Sequence, residues 1–185
     1  MKENFSFNTS RLRAELLCEA NQNHIFDLYN HEETLKYLHG IDAARDIDLC
    51  IRCSQDYQNI GAYLIFENDS DKFVGVGGIQ KQDPMHDGSY ALANHDIEFL
   101  IILGHDFKGK GYAFEFCNAF FQKLFAVFPD LHVPARVDQQ NAACIKLLKK
   151  FGFIEAGETH YHSYDSKFTL LKNNLDSWQL ALSSK

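Results

Sequence analysis

A chain of 185 residues, 45% of them hydrophobic and 16 of them Phe, has enough apolar material for one ample core with a dense aromatic interior, which excludes a disordered segment. Its formal net charge of −7 at pH 7 lacks the basic footprint of a nucleic-acid binder and favours a cationic partner such as an amine. No apolar run is long enough to span a bilayer, no signal-peptide pattern opens the chain, and 5 Cys without paired spacing fit a reduced cytoplasm. The expectation is a single domain over residues 1–185, cytoplasmic, with no membrane and no nucleic acid among its partners.

In chain order, Ser10 to Leu17 alternates Leu12, Ala14 and Leu16 against Arg11, Arg13 and Glu15, so a first strand is predicted. Asn21 to Tyr29 has a helical apolar side of Ile25, Phe26, Leu28 and Tyr29, and His31 to Gly40 is a partly helical connection. A second helix is predicted from Asp42, a capping residue type, to Tyr57. Its Cys50 and Cys53 form a lone C-x-x-C whose spacing matches one helix face, so packing rather than metal or redox chemistry is expected. Gly61 to Phe66 and Phe73 to Ile79 flank a polar turn at Asn68 to Asp71 and read as a hairpin. The glycines at 75, 77 and 78 predict close backbone approach or a bulge in its second strand. Gln80 to Asn94, with Pro84, His86, Asp87 and Gly88, has little periodicity and reads as a loop.

Asp96 to Leu103, DIEFLIIL, is a mostly buried strand. It runs into a loop with glycines at 109 and 111, then into a long amphipathic helix. There Phe116, Cys117, Phe120, Phe121 and Leu124 recur at three- and four-residue steps. Strand, glycine loop and helix N-terminus in that order suit a phosphate or pyrophosphate, because the first helical N–H groups lack intrahelical partners and glycine leaves no Cβ in the way. A Walker loop is excluded because Tyr112 and Ala113 follow Gly111, and a dinucleotide fingerprint because its third glycine is replaced by Phe114. Leu131 to Val137 is predicted as a further strand, with Pro134 marking a bulge or an unpaired edge. A helix starts at Asn141 and stops at Gly152, Phe153 resumes in strand, Ser163 to Leu171 gives the last strand, and Trp178 seals the core.

The segment IEFLIILGHDFKGKGYAFEF resembles motif A of the GNAT superfamily of acetyl-CoA-dependent N-acetyltransferases, and NAACIKLLKKFGFIEAGE resembles its motif B. The nearest flavour is the Rim-type branch of ribosomal-protein N-terminal acetyltransferases. One position departs from the pattern: Asp106 stands where Gln or Arg often precedes the first glycine by three residues. The resemblance implies a mixed α/β (α+β) three-layer α/β/α domain. Its twisted, mostly antiparallel sheet would be splayed in a V between the Glu98 strand and the next, with helices after the first strand walling the acceptor site. It also implies cofactor contacts from Ile101, Ile102 and Leu103, from the loop and helix start at Lys108, Gly109, Lys110, Gly111, Tyr112 and Ala113, and from Asn141 at the pantetheine. Asn141 equally fits a helix N-cap. Lys146, Lys149 and Lys150 either reach the cofactor's adenosine phosphates or form a solvated face.

Acyl transfer needs a neutral amine, a stabilised oxyanion and a protonated leaving thiolate. An α-amine, with a pKa of about 7.7–8.0, is partly neutral at physiological pH, whereas a lysine amine at about 10.4 is not. Glu98, a carboxylate on an otherwise apolar strand, is the candidate general base; a structural salt bridge or hydrogen bond is the competing reading. Leu148 occupies the place where many members carry a tyrosine acid, so Tyr161, Tyr164, His160 and His162 are the replacements to consider. Cys144 as an acyl carrier conflicts with the direct transfer the resemblance implies. No metal is expected, since H-x-H at 160 and 162 lacks a third ligand. The expected activity is N-acetylation of a primary amine by acetyl-CoA, with a protein or peptide N-terminus as acceptor and the protein a monomer or homodimer. The alternatives are a small-molecule amine (polyamine, antibiotic or amino sugar) or a non-catalytic acyl-CoA-binding module.

Overall fold

The computed structural model describes residues 6–38, 42–82, 96–160 and 167–173. A two-residue strand β1 (Phe7–Asn8) precedes β2 (Leu12–Leu16), and the two pair across a tight turn. Leu12 and Ala14 point into the core, as their alternation predicts. Three helices follow: α1 (Asn23–Tyr29), α2 (Glu32–Leu35) and α3 (Ala43–Asp56). Asp42 caps α3 by accepting from the Arg45 N–H at 3.1 Å, and Ile47, Cys50 and Cys53 lie buried along it. The cysteine pair is therefore packing, and both thiols are free.

The hairpin is β3 (Ala62–Glu67) and β4 (Phe73–Lys81). Gln80 and Lys81, predicted as the start of a loop, instead continue β4 and pair with Glu98 and Ile97 of β5 (Ile97–Leu103). Strand-like alternation is hidden there by three glycines and two polar residues. The glycines answer to close approach: a Cβ at Gly77 would stand 2.6 Å from the Phe116 ring, and one at Gly78 only 2.1 Å from the Gly61 carbonyl oxygen. After a short 3-10 turn (His105–Phe107) comes α4 (Tyr112–Val127). Then follow β6 (Pro134–Asp138), α5 (Ala142–Lys149), β7 (Phe153–His160) and β8 (Lys167–Asn173). Strand β6 begins three residues later than predicted. Proline sits at its first position, where a missing N–H takes nothing from the interior of the ladder. Tyr161, His162 and Tyr164, Pro84 to Gly88, and Trp178 lie outside the described residues.

Two antiparallel sheets result: β1-β2-β3-β4-β5 and β6-β8-β7. Strands β5 and β6 lie side by side without a ladder between them, so each ends its sheet. Helices α1 and α3 cover one face of the larger sheet, packing Ile25, Leu28, Ile47 and Cys50 against Leu64, Val76 and Ile102. The other face receives α4. Its Phe116, Phe120 and Phe121 meet Tyr63 and Phe99, and this aromatic cluster continues to Leu148, Phe151 and Phe153 of the second sheet's side. The sheet is thus the middle of three layers. The break at β5 and β6 lies within a continuous core.

Candidate active site

The loop after β5 has the geometry of an anion cradle. Gly109 and Gly111 both adopt left-handed backbone, at φ 77° and 82°, which turns successive N–H groups toward one side. Among the described residues the N–H groups of Gly109, Lys110, Gly111, Tyr112 and Ala113 meet no backbone acceptor; the helix ladder starts with Glu115 N–H donating to the Gly111 carbonyl. A Cβ at Gly109 would meet nothing within 4 Å, so the space in front of the loop is open.

This loop is braced from two sides. Glu115, in the first turn of α4, accepts from Thr9 Oγ1 at 2.6 Å, Ser10 Oγ at 3.0 Å, and the N–H and Nε of Arg11 at 2.8 and 2.6 Å. Arg11 also donates through Nη1 to the Lys110 carbonyl and lies over the Tyr112 ring. On the opposite flank Lys108 Nζ donates to the Glu33 carbonyl of α2 at 2.7 Å, and the His31 and His105 rings stack at 5.8 Å. Tyr112 donates its hydroxyl proton to Glu67 at 2.6 Å.

Glu98 lies at the other end of β5, 4% exposed, on the α3 side of the sheet. It is not a solitary carboxylate. Arg136, at the centre of β6, donates to it through Nε at 2.6 Å and Nη2 at 2.5 Å, a two-pronged pair that crosses the break between the sheets. Gln80 Nε2 donates to the same carboxylate at 3.0 Å, and Cys50 Sγ donates in turn to the side-chain Oε1 of Gln80 at 3.5 Å. One turn up α3 from Cys50, Asp46 accepts from the Tyr29 hydroxyl, and burial pushes its carboxyl up to about 6 despite the nearby Arg45.

Asn141 caps α5 as its sequence position allows: Oδ1 accepts from the Cys144 N–H at 3.2 Å, which leaves the amide hydrogens to a different task. Burial pushes the Cys144 thiol up to about 11, so it is protonated at neutral pH and unsuited to act as a nucleophile. Leu148 is fully buried in the aromatic core. Lys149 pairs with Glu155 at 2.6 Å, and Lys150 lies over the Phe114 ring. Among the described residues no group of three or more His, Cys, Asp or Glu is arranged to hold a metal, and no helix is long and apolar enough to cross a membrane.

The structure thus brings Glu98 and the loop to opposite ends of one edge strand, with Ile101, Ile102 and Leu103 between them. Sequence reasoning missed Arg136, Gln80, Arg11 and Glu115. For Arg136 there was a signal: in PARVD it stands between Ala135 and Val137, as Glu98 stands between Ile97 and Phe99, and opposite charges flanked by apolar residues on two strands are complementary.

The sequence of residues 11–154 matches the model of the acetyltransferase (GNAT) domain. No curated protein is a significant match to the chain. Solved structures of similar fold include an acetyltransferase from Agrobacterium tumefaciens, at TM-score 0.71 and 17% identity over 91% of this chain and 94% of that one. The ribosomal-protein-S5-alanine acetyltransferase of Vibrio fischeri superposes at TM-score 0.70 and 14% identity, over 95% and 99% of the two chains. A spermidine N-acetyltransferase from Vibrio cholerae, solved with CoA and spermine, gives 0.65 and 15%, over 92% and 99%.

Proposed function

The chain belongs to the GNAT acetyltransferase family, and from that premise we propose that it transfers the acetyl group of acetyl-CoA to a cationic primary amine at the break between β5 and β6. The observation that carries this reading is the layout of β5. A run of N–H groups without backbone acceptors follows one end of the strand, and a buried carboxylate sits near the other. At about 3.3 Å rise per residue, Glu98 and Leu103 are roughly 17 Å apart, a span suited to an extended pantetheine arm.

Acetyl-CoA supplies an acetyl group activated as a thioester. The residues of this chain do the rest. The backbone of Lys108 to Ala113 receives the pyrophosphate, with the Lys108 and Lys110 charges beside it. Ile101, Ile102 and Leu103 offer their unpaired strand edge to the amides of the arm, and Asn141 offers its amide hydrogens. Glu98 takes the proton of the attacking amine, the C–N bond forms as the C–S bond breaks, and the departing CoA thiolate takes a proton from solvent. The Glu98 oxygens already accept from Arg136 and Gln80, so the amine's proton passes through a bridging water.

The acceptor enters past α1 to α3. Between Asn23 and Asp56 stand seven acidic residues (Asp27, Glu32, Glu33, Asp42, Asp46, Asp48 and Asp56) against Lys36, Arg45 and Arg52, a field that draws a cation. A peptide N-terminal amine is the first acceptor to test, since one protein of similar fold is a ribosomal-protein-S5-alanine acetyltransferase, and a polyamine, as in the spermidine enzyme solved with spermine, is the second.

Calorimetry with CoA and a thiol-release assay over peptides and polyamines test the proposal. Gly109→Asn is the informative loop variant, because Asn tolerates left-handed backbone and its side chain fills the open space. It is expected to weaken CoA binding about tenfold or more, roughly 1.4 kcal/mol, with the melting temperature unchanged. Unchanged CoA affinity in a folded variant would move the cofactor elsewhere. Glu98→Gln is expected to lower turnover by about 10²–10⁴-fold at neutral pH with CoA affinity retained, and wild-type turnover would remove Glu98 from the chemistry. CoA binding with no thiol release on any amine would favour a binding module over an enzyme.

A further inference from the structure

The pairing of Glu98 with Arg136 goes beyond what a structural ion pair between two neighbouring strands requires. Everywhere else in the two sheets the strands are joined by backbone ladders, but β5 and β6 are not. At that one discontinuity a buried carboxylate on β5 meets a guanidinium on β6 in fork-to-fork geometry, at 2.6 and 2.5 Å. Arg suits such a place because its planar fork fixes direction as well as charge, which a Lys ammonium does not. Gln80 on β4 completes the grip from the far side, and its own orientation is set by the Cys50 thiol of α3. The carboxylate is therefore held from three elements at once: α3 through Gln80, β4 directly, and β6 directly.

We propose that Arg136 is a positioning residue for acyl transfer: its two-pronged bond across the open seam between the sheets sets where the Glu98 carboxylate sits when the acceptor amine arrives. The proposal rests on the acetyltransferase reading and adds to it a residue on the strand opposite the base. Among the described residues the groups around Glu98 include Cys50 and, one turn away, Asp46 from α3, Gln80 from β4, and Arg136 from β6. Arg136 is the cation bonded to it, so removing that charge disfavours the ionised carboxylate, while replacing it with Lys keeps a charge but loses the fork.

The test compares Arg136→Lys, Arg136→Met, Glu98→Gln and the double variant Glu98→Gln/Arg136→Met in kcat, KM, CoA affinity, melting temperature and pH profile. Arg136→Met deprives a buried carboxylate of the guanidinium bonded to it and is expected to lose stability; the double variant, with neither charge, recovers part of the loss. Arg136→Lys is expected to stay folded with CoA affinity intact and to lose roughly 10²-fold in kcat, the scale of a misplaced catalytic group. In any folded Arg136→Met protein the acidic limb of kcat/KM moves to higher pH. In the Glu98→Gln background Arg136→Met has no further effect on kcat, since the arginine acts through the glutamate. Wild-type kcat in Arg136→Lys, or equal losses for Arg136→Met with and without Glu98, would overturn the proposal and leave the pair as a fastening only. A wild-type protein that binds CoA yet releases no thiol on any amine would instead sink the acetyltransferase reading, and the arginine's role with it.

Discussion

Single residues in this protein are governed by what burial does to charge. Asp46 shows it most plainly. Burial lifts its carboxyl from 3.8 to about 6, outweighing Arg45 and the Tyr29 hydroxyl. The folded protein thus keeps a proton that the unfolded chain releases between these two values, so stability falls as pH rises through that interval. Asp46→Asn keeps an acceptor for Tyr29 and removes the charge. It is expected to melt above wild type at pH 7, by roughly 2–4 °C per kcal/mol recovered, and level with it below pH 3.8. Equal melting temperatures at pH 7 would show that Asp46 ionises in the fold without penalty. The carboxylate of Glu98 on the apolar strand DIEFLIIL marked the site of interest in the sequence, yet its Arg136 partner could not be read there. Glu98 and Arg136 are 38 positions apart and meet only because α4 carries the chain back beside β5. Cys144 entered only as an acyl carrier at odds with direct transfer, and its buried surroundings, invisible in sequence, keep the thiol protonated at neutral pH.

At the scale of elements, periodicity and caps carried most of the information. Helix α4 declared itself through its phenylalanine stripe, α3 through Asp42, and α5 through Asn141 and Gly152, because these signals are local. What escaped was structure fixed by distant partners: the short β1, and the extension of β4 through Gln80 and Lys81, which only the β5 ladder stabilises. The clasp at the start of α4 belongs to the same class. Glu115 gathers Thr9, Ser10 and Arg11 onto the helix N-terminus; burial alone would raise its carboxyl, but these hydrogen bonds hold it below 4.5. Its contribution is present above the ordinary glutamate range and is lost as the pH falls below it. Glu115→Ala is expected to destabilise the protein by about 2 kcal/mol and to weaken CoA binding, because the glycine loop loses its brace. A lower melting temperature with unchanged CoA affinity would make the clasp a fold element with no bearing on the loop.

At the scale of the molecule, the described residues form two antiparallel sheets sharing one aromatic interior. From β5 to β6 there is no ladder: Phe99 and Phe121 against Phe153, with the Glu98–Arg136 pair, connect them through side chains instead. Packing holds shape without locking amide protons, and that difference is measurable by hydrogen exchange. The β7–β8 ladder should open in a sub-global event of lower free energy than the one that exposes β3, β4 and β5, giving two families of protected amides. A ligand bridging the seam binds only the state in which both sheets are in place, so saturating CoA should slow the faster family toward the slower. A single exchange class in the ligand-free protein would mean that the phenylalanines alone weld the halves into one cooperative unit. With two classes, the cofactor is also the missing strand of the protein's own stability, and starvation for CoA becomes a reason for the chain to be degraded sooner.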